Sequence, residues 1–253
     1  MRLHLVAALI LQVLMVSAGL AQDEGKLQSD RGGKTQTPWV TPNKMLQVET
    51  GFGWQKKNKD EYTFEHPELL LKYGLFNKLE LRTRIVAATE TYRKYNIRQS
   101  GITPVEIGVK ALLTQGGGVV PHTSFTAQFG IPKFASSDFE ANQVFPALRL
   151  NMEHDVTDAL DLETNVAAEW DGFDNDPSWH FAFSPHLELT EQWQLFVEAF
   201  GSMKKKEKGQ ISVDAGMLHW FGKNVMVDIT AGTGLTKTAP DYFIDAGVSF
   251  RLR

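Results

Sequence analysis

The chain has 253 residues, a formal net charge of −4 and no cysteine. The near-neutral charge argues against nucleic acid as a partner, and the lack of cysteine excludes disulfides, thiolate catalysis and zinc–thiolate sites. A mean hydropathy of −0.24, without an apolar run long enough to cross a bilayer, excludes a helical membrane protein. It leaves a β-barrel open, because alternation of polar and apolar residues lowers the mean hydropathy. We expect no cofactor.

Residues 1–21 have the layout of a secretory signal peptide. Arg2 and His4 precede an apolar run over residues 5–16, and small residues follow up to Ala21, where we expect cleavage. Residues 22–44 are polar, rich in Gly, Thr and Pro, and show little periodicity. We predict that they form an extended lead-in, either periplasmic or folded into the lumen of a barrel, and that residues 45–253 form the barrel itself.

From residue 46 onward, apolar residues alternate with polar or small ones, the pattern of a strand with one apolar and one polar face. The clearest example lies at the end of the chain, where the apolar series is Tyr242, Ile244, Ala246, Val248, Phe250 and Leu252. The segments are about as long as membrane-crossing strands, ~9–11 residues. We predict twelve strands, over residues 46–54, 62–73, 79–88, 103–113, 119–131, 144–155, 160–170, 179–189, 193–203, 211–220, 225–234 and 242–252.

The connections between these strands alternate between longer polar loops and tight turns, which is typical of an outer-membrane barrel. An even strand number places both termini in the periplasm. Aromatic residues at both ends of the strands match the two interfacial girdles of such barrels. Composition alone leaves a periplasmic β-sandwich or a closed soluble barrel open. The joint pattern favours an all-β, closed antiparallel transmembrane barrel of about twelve strands, with residues 46–54 paired to 242–252.

Both ends of the predicted mature chain also resemble a known family. The matching residues at the start are Asp30-Arg31-Gly32, Thr35-Gln36-Thr37-Pro38-Trp39, Pro42 and Gln47-x-Glu49-x-Gly51-Phe52. Those at the end are Gly234-Leu235, Pro240-Asp241-Tyr242-Phe243, Gly247, Ser249 and Arg251. They resemble a family of Gram-negative outer-membrane proteins whose members are labelled transporters or components of the meta-cleavage pathway of phenol degradation. The resemblance implies an outer-membrane location and a transport role.

The inward phase of the strands is heavily charged, with more acids than bases. The residues predicted to line or constrict the lumen are Glu80, Arg82, Arg84, Glu106, Lys110, Arg149, Glu153, Asp161, Glu163, Asp214 and Asp228. This pattern favours a polar conduit for cations or neutral solutes, or a lumen filled by ion pairs, because unpaired charges in a narrow lumen are costly. We expect Arg82 and Arg84 to form an ion-pair belt with Glu80, Glu106 and Lys110.

Histidines offer two further kinds of site. His122, His180 and His186 lie in the inward phase, but the last two are ~20 Å apart along one strand, so polar lining is favoured over a metal site. A phospholipase-like barrel needs a Ser–His–polar triad on the lipid face near the outer rim. His154 and His219 are in the outward phase but near the periplasmic ends of their strands, so we do not predict an enzyme.

The long loops carry charge of both signs. Basic residues, including the run at 204–206, are candidates for pairing with lipopolysaccharide phosphates. Asp171, Asp174 and Asp176 share one loop and are candidate ligands of a divalent cation.

The sequence therefore predicts an outer-membrane channel or transporter for small solutes, hydrophobic or aromatic compounds among them, with a charged and constricted lumen. The alternatives are a phospholipase-like enzyme and a structural or binding barrel that transports nothing. The expected partners are outer-membrane lipid and lipopolysaccharide, the barrel insertion machinery and a small-molecule solute, with no nucleic acid.

Overall fold

The computed structural model describes residues 25–117 and 119–253, so the predicted signal peptide lies outside the described residues. The strands in this part are β1 (Leu46–Lys56), β2 (Glu61–Phe76), β3 (Leu79–Tyr92), β4 (Ile97–Ile102), β5 (Val105–Thr114), β6 (His122–Ile131), β7 (Phe145–Thr157), β8 (Leu160–Glu169), β9 (Ser178–Thr190), β10 (Trp193–Lys204), β11 (Gln210–Phe221), β12 (Val225–Gly234) and β13 (Tyr242–Leu252). Short 3-10 turns occupy Arg93–Tyr95, Pro132–Phe134 and Ser137–Phe139. No helix in the described ranges is long and apolar enough to cross a membrane.

The strands close into one antiparallel barrel. Consecutive strands pair with each other except β4 and β5, which both pair with β3, and the pairing of β1 with β13 completes the ring. Strand β3 pairs with β5 along residues 79–84 and with β4 along residues 87–92, so β4 and β5 share one position in the wall. The predicted twelve-strand closed barrel is therefore confirmed. So is the pairing of the first and last strands, whose register runs from Leu46 opposite Leu252 to Lys56 opposite Tyr242.

Two local predictions differ from the structure. Residues 89–102 were expected to form a polar loop, but β3 continues to Tyr92 and β4 returns along it. The extension contains Thr89, Thr91 and Tyr92, residue types that favour strands even when polar. The second strand, predicted over residues 62–73, runs over Glu61–Phe76 and contains Pro67, where the register with β3 shifts between Glu65 and Glu68. The bulge accommodates a residue that cannot donate to the ladder.

The barrel reverses the burial pattern of a soluble protein. Its interior holds charged side chains such as Glu49, Glu80 and Lys110, each 0 % exposed, while outward Val197 and Phe183 are 56 % and 49 % exposed. A water-soluble fold places its large apolar residues inside and almost never buries unpaired charges. An apolar outer surface around a polar interior is the arrangement of a barrel in lipid, and it argues against the soluble alternatives.

The two ends of the barrel differ. At the end where β2–β3, β7–β8, β9–β10 and β11–β12 join, the connections are short; we call this the tight-turn end. The opposite, loop end carries the longer connections. Aromatic clusters occur at both: Trp54 packs on Tyr242 at the loop end, with ring centroids 5.3 Å apart, and Trp193 packs on His219 at the tight-turn end, 4.0 Å apart. The periplasmic position of both chain ends stays a prediction.

Candidate functional site

Residues 25–45, which we call the lumenal segment, run through the inside of the barrel. The Leu27 N–H donates to Lys223 O in the β11–β12 turn (2.8 Å), and the Lys44 N–H donates to Gly74 O at the end of β2 (2.7 Å). Between these points the segment contacts the middle of the wall, where the Gln36 N–H donates to Asn165 Oδ1 (2.6 Å). The segment therefore enters and leaves at the tight-turn end, and its tip, residues 31–36, reaches the middle of the lumen.

Asp30 of this segment is the common partner of three cations from three strands. Its Oδ1 lies 2.8 Å from Lys110 Nζ, and its Oδ2 lies 2.7 Å from Arg82 Nη2 and 3.4 Å from Lys72 Nζ. The four side chains are at most 1 % exposed. Lys72 also contacts Glu49 Oε1 at 2.9 Å. We call this group, with Glu80, the Asp30 cluster. Charge-assisted hydrogen bonds of this kind are stronger than hydrogen bonds between neutral groups.

The predicted belt residues pair partly with one another and partly with the lumenal segment. Glu80 Oε2 accepts hydrogen bonds from both the N–H and the Oγ1 of Thr41 (2.8 Å each), and its Oε1 lies 4.0 Å from Arg82 Nε. Arg84 bridges wall strands, with Nη1 2.9 Å from Glu106 Oε1 and Nε on the Glu68 carboxylate. Thus Arg82, Glu80 and Lys110 bind the lumenal segment, and only Arg84 and Glu106 pair as a link within the wall.

Arg31 follows Asp30 and contacts a different part of the wall. Its Nε and Nη2 donate to both oxygens of Asp228 (3.2 Å each), and its Nη1 donates to Glu68 (3.3 Å). Gly51 and Gly247 lie beneath the guanidinium, and a Cβ at either position would collide with it. The glycines of β1 and β13 therefore make room for this side chain. They belong to the motif that carries the family resemblance.

The tip of the segment is held through its backbone. Both oxygens of Glu198 accept hydrogen bonds from the N–H groups of Lys34 and the next residue, each at 2.6 Å. Asn165 also donates to Gln36 O (3.0 Å), and Arg149 Nη1 donates to Lys34 O (3.2 Å) while its Nη2 pairs with a β8 carboxylate. Backbone groups that would be unpaired in a buried position are thus bonded to side chains of the wall.

In the part of the lumenal segment that follows the tip, Trp39 Nε1 donates to Glu153 Oε1 (2.9 Å), and the Trp39 ring packs on His122 (4.4 Å between centroids). Donor atoms of His122, Glu153 and Asp155 lie within 4.8 Å of one another. However, His122 Nδ1 accepts from the Gly116 N–H (2.9 Å), which places the ring proton on Nε2, facing Asp155 Oδ2 at 3.3 Å. His122 is therefore arranged as a hydrogen-bond donor in a polar wall.

The remaining predicted lining residues lie on β8 and β11. Asp161 is opposite His186 in the β8–β9 register, and Glu163 lies 3.7 Å from His186 Nε2. Asp214 is buried, and neither of its carboxylate oxygens has a hydrogen-bond partner among the described residues. The predicted set is thus brought to the interior but is divided among separate clusters.

Cavities lie on both sides of the lumenal segment. One of about 270 Å³ is bordered by the tip and, among other residues, by Arg84, Glu106, Arg149 and Asp214. Another, of about 540 Å³ at the tight-turn end, is bordered by Trp39, Pro42, Met45, Asn77 and Arg253. The segment therefore stands between polar spaces at the two ends of the lumen.

The acidic loop has cationic partners. Asp171 and Asp174 lie 2.7 and 2.9 Å from Lys204 Nζ, and Asp176 lies 3.5 Å from Lys205 Nζ. Partial burial tends to raise the pKa of Asp171, but hydrogen bonds from Lys204 and from two backbone N–H groups outweigh it, so this pKa lies below its usual value. These carboxylates are arranged as an ion-paired loop, and cation binding there stays a prediction.

The fold has solved counterparts at low sequence identity. The COG4313 outer membrane channel from Pseudomonas putida F1 is similar with a TM-score of 0.69, 9 % identity, and coverage of 92 % of this chain and all of that one. The NanC porin is similar with a TM-score of 0.56 and 11 % identity, over 82 % of this chain and 100 % of the porin. The KdgM porin is similar with a TM-score of 0.55 and 12 % identity, over 82 % of this chain and 99 % of the porin. The barrel thus resembles Gram-negative outer-membrane channels and porins. No curated protein matches.

A family model described as "Putative MetA-pathway of phenol degradation" matches residues 29–252. The match includes the tip of the lumenal segment, the Asp30 cluster and every strand of the barrel. The chain therefore belongs to the MetA-pathway phenol-degradation family.

Proposed function

We propose that this protein is an outer-membrane channel for small solutes, and that the lumenal segment closes the lumen in the state described here. The observation that carries the proposal is that the wall is complete without the segment, since every strand is paired around the ring. The segment is bound by ion pairs and hydrogen bonds across a polar interior.

The solute class and the orientation belong to this proposal. Hydrophobic or aromatic compounds are the proposed solutes, and this choice rests on the family description alone. We place the tight-turn end in the periplasm, so that the segment enters from that side, with lipopolysaccharide at the loop end and the barrel insertion machinery as a transient partner. An enzyme is less well supported, because outward His219 packs between Trp193 and Phe221.

A disulfide lock tests the channel. Ser29 Oγ of the segment and Ser249 Oγ of β13 are 2.8 Å apart, and the chain has no native cysteine. The variant Ser29→Cys/Ser249→Cys places two thiols within bonding reach. We expect oxidation to lower its single-channel conductance in planar bilayers, and a reducing agent to restore it.

The two single-cysteine variants are the controls, since oxidation should leave their currents unchanged. Equal currents from the oxidised and reduced double variant would show that the segment does not need to move. Silence of the wild-type protein under all conditions would contradict a channel. Transient block of the current by benzoate, but not by acetate, would support an aromatic solute class.

A further inference from the structure

Three acids that form no ion pair within the described part of the chain lie near the tip of the segment. Glu65, Asp214 and Asp245 border the same cavity as Lys34. Gly53 on β1 is opposite Asp245 on β13 and, on its other side, opposite Glu65 on β2. A Cβ at Gly53 would meet the carboxylate oxygens of both acids. The carboxylates of Asp245 and Glu65 therefore share the space above Gly53, which has no side chain of its own.

Asp214 approaches this space from the other side of β12. It lies opposite Gly232, while Asp245 lies opposite Thr230, two residues away on the same strand. Asp214 is 7 % exposed, and both of its oxygens lack a partner within the described ranges. Burial of a carboxylate without hydrogen bonds costs free energy. We therefore expect a cation or an ordered hydrogen-bond donor beside Asp214.

Lys34 supplies the one ammonium group at this point. It lies within electrostatic range of Glu65, Asp214 and Asp245, and its Nζ is 5.9 Å from the centre of the Phe243 ring. That ring crosses Gly232 towards Asp214, since a Cβ at Gly232 would touch both. Three carboxylates and an aromatic ring thus lie near one alkylammonium group, and these are the kinds of group that attract organic cations.

We propose that Glu65, Asp214, Asp245 and Phe243 form a binding subsite for the ammonium group of a solute, and that Lys34 occupies it in the closed lumen as an internal competitor. This inference rests on the proposed channel function, because a solute must reach the lumen to use the subsite. The aromatic face favours an ammonium group over a divalent metal ion, which requires a close shell of oxygen ligands. An amine that displaces Lys34 also removes one contact of the tip, so its binding favours release of the segment.

The test is equilibrium binding of n-butylamine, an analogue of the lysine side chain, to the folded protein in detergent by calorimetry. Lys34→Gln should raise the affinity roughly tenfold or more, because a site filled nine-tenths of the time by a competitor binds about tenfold more weakly. Lys34→Arg, which keeps the charge, should not raise it. Lys34→Gln/Asp214→Asn should lose the gain. Lys133→Gln, in a 3-10 turn between β6 and β7, is the matched control, and 1-butanol is the neutral ligand control.

The proposal is overturned if Lys34→Gln binds butylamine no better than the wild type, if the gain survives Asp214→Asn, or if 1-butanol binds equally well. Binding of Ca²⁺ without butylamine would also overturn it, in favour of a divalent-cation site. Because calorimetry needs no conduction, butylamine binding by a silent barrel would contradict the channel alone. A conducting barrel without butylamine binding would contradict the subsite alone.

Discussion

Replacing Asp30 by asparagine should weaken docking of the lumenal segment. In the Asp30 cluster, three carboxylates (Asp30, Glu49, Glu80) face three cations (Lys72, Arg82, Lys110), all buried. Asp30→Asn leaves one buried cation without a counter-ion, and removal of one partner of a buried pair costs about 3–5 kcal/mol. At about 1.4 kcal/mol per tenfold change, the equilibrium constant for docking of the segment should fall by roughly two to three and a half orders of magnitude.

Single-channel recording measures this change as a higher open probability. Asp30→Glu keeps the charge and should stay near the wild type. Asp138→Asn is the control for loss of an aspartate, because Asp138 lies outside the lumen and accepts a hydrogen bond from the exposed Ser100 N–H of β4. Heat modifiability on detergent gels establishes that each variant is folded. An unchanged open probability in folded Asp30→Asn would refute the idea that this cluster holds the segment in place.

Three further outcomes are expected. Val166→Arg on the lipid-facing side of β8 should cost ~2–4 kcal/mol in urea unfolding from vesicles if it lies near the midplane, and a cost no larger than that of Val166→Leu would contradict a lipid-facing position. Arg82→Ala/Arg84→Ala should raise conductance and shift the reversal potential towards cation selectivity, since two positive charges leave an acid-rich lumen; unchanged values would place the constriction elsewhere. The pKa of Asp171 lies below its ordinary value of 3.8, so amide protection of the loop at residues 170–177 should persist as pH falls below 3.8 and disappear only at lower pH. In Lys204→Gln this loss of protection should occur at higher pH. An identical pH profile in the variant would contradict the ion pair.

The barrel could be predicted because its signal is local. Alternation with a period of two fixes which side chains face lipid, and a one-residue slip would reverse both faces, so the register is strongly specified. This is why the pairing of Leu46 with Leu252 follows from the pattern. Strand β4 was missed because Arg98, Gln99 and Ser100 resemble a loop by composition, although their partners on β3 make them a strand.

The partners of the lumenal segment could not be predicted in the same way. Its residues lack periodicity, and their contacts join positions far apart in the sequence, such as Arg31 with Asp228. Arg82 and Lys110 were assigned partners on neighbouring strands, because pairing within a sheet is the only geometry that alternation predicts. Likewise, the alternation places Asn165 on the inner face but does not reveal that it bonds both backbone groups of Gln36. The sequence identifies Asp30 only as part of the motif that carries the family resemblance.

The distribution of charge explains why the segment lies where it does. Asp30 and Arg31 are consecutive, and their side chains contact different parts of the wall. One reaches the basic part of the wall at Arg82 and Lys110, and the other reaches the acidic part at Asp228. The base of the segment is held differently, because Leu27 is 0 % exposed in an apolar cluster at the tight-turn end. Polar contacts of the tip can be replaced by contacts with water when the tip leaves the wall, whereas exposure of the apolar residues at the base is unfavourable. The contacts therefore favour a segment anchored at its base and released at its tip.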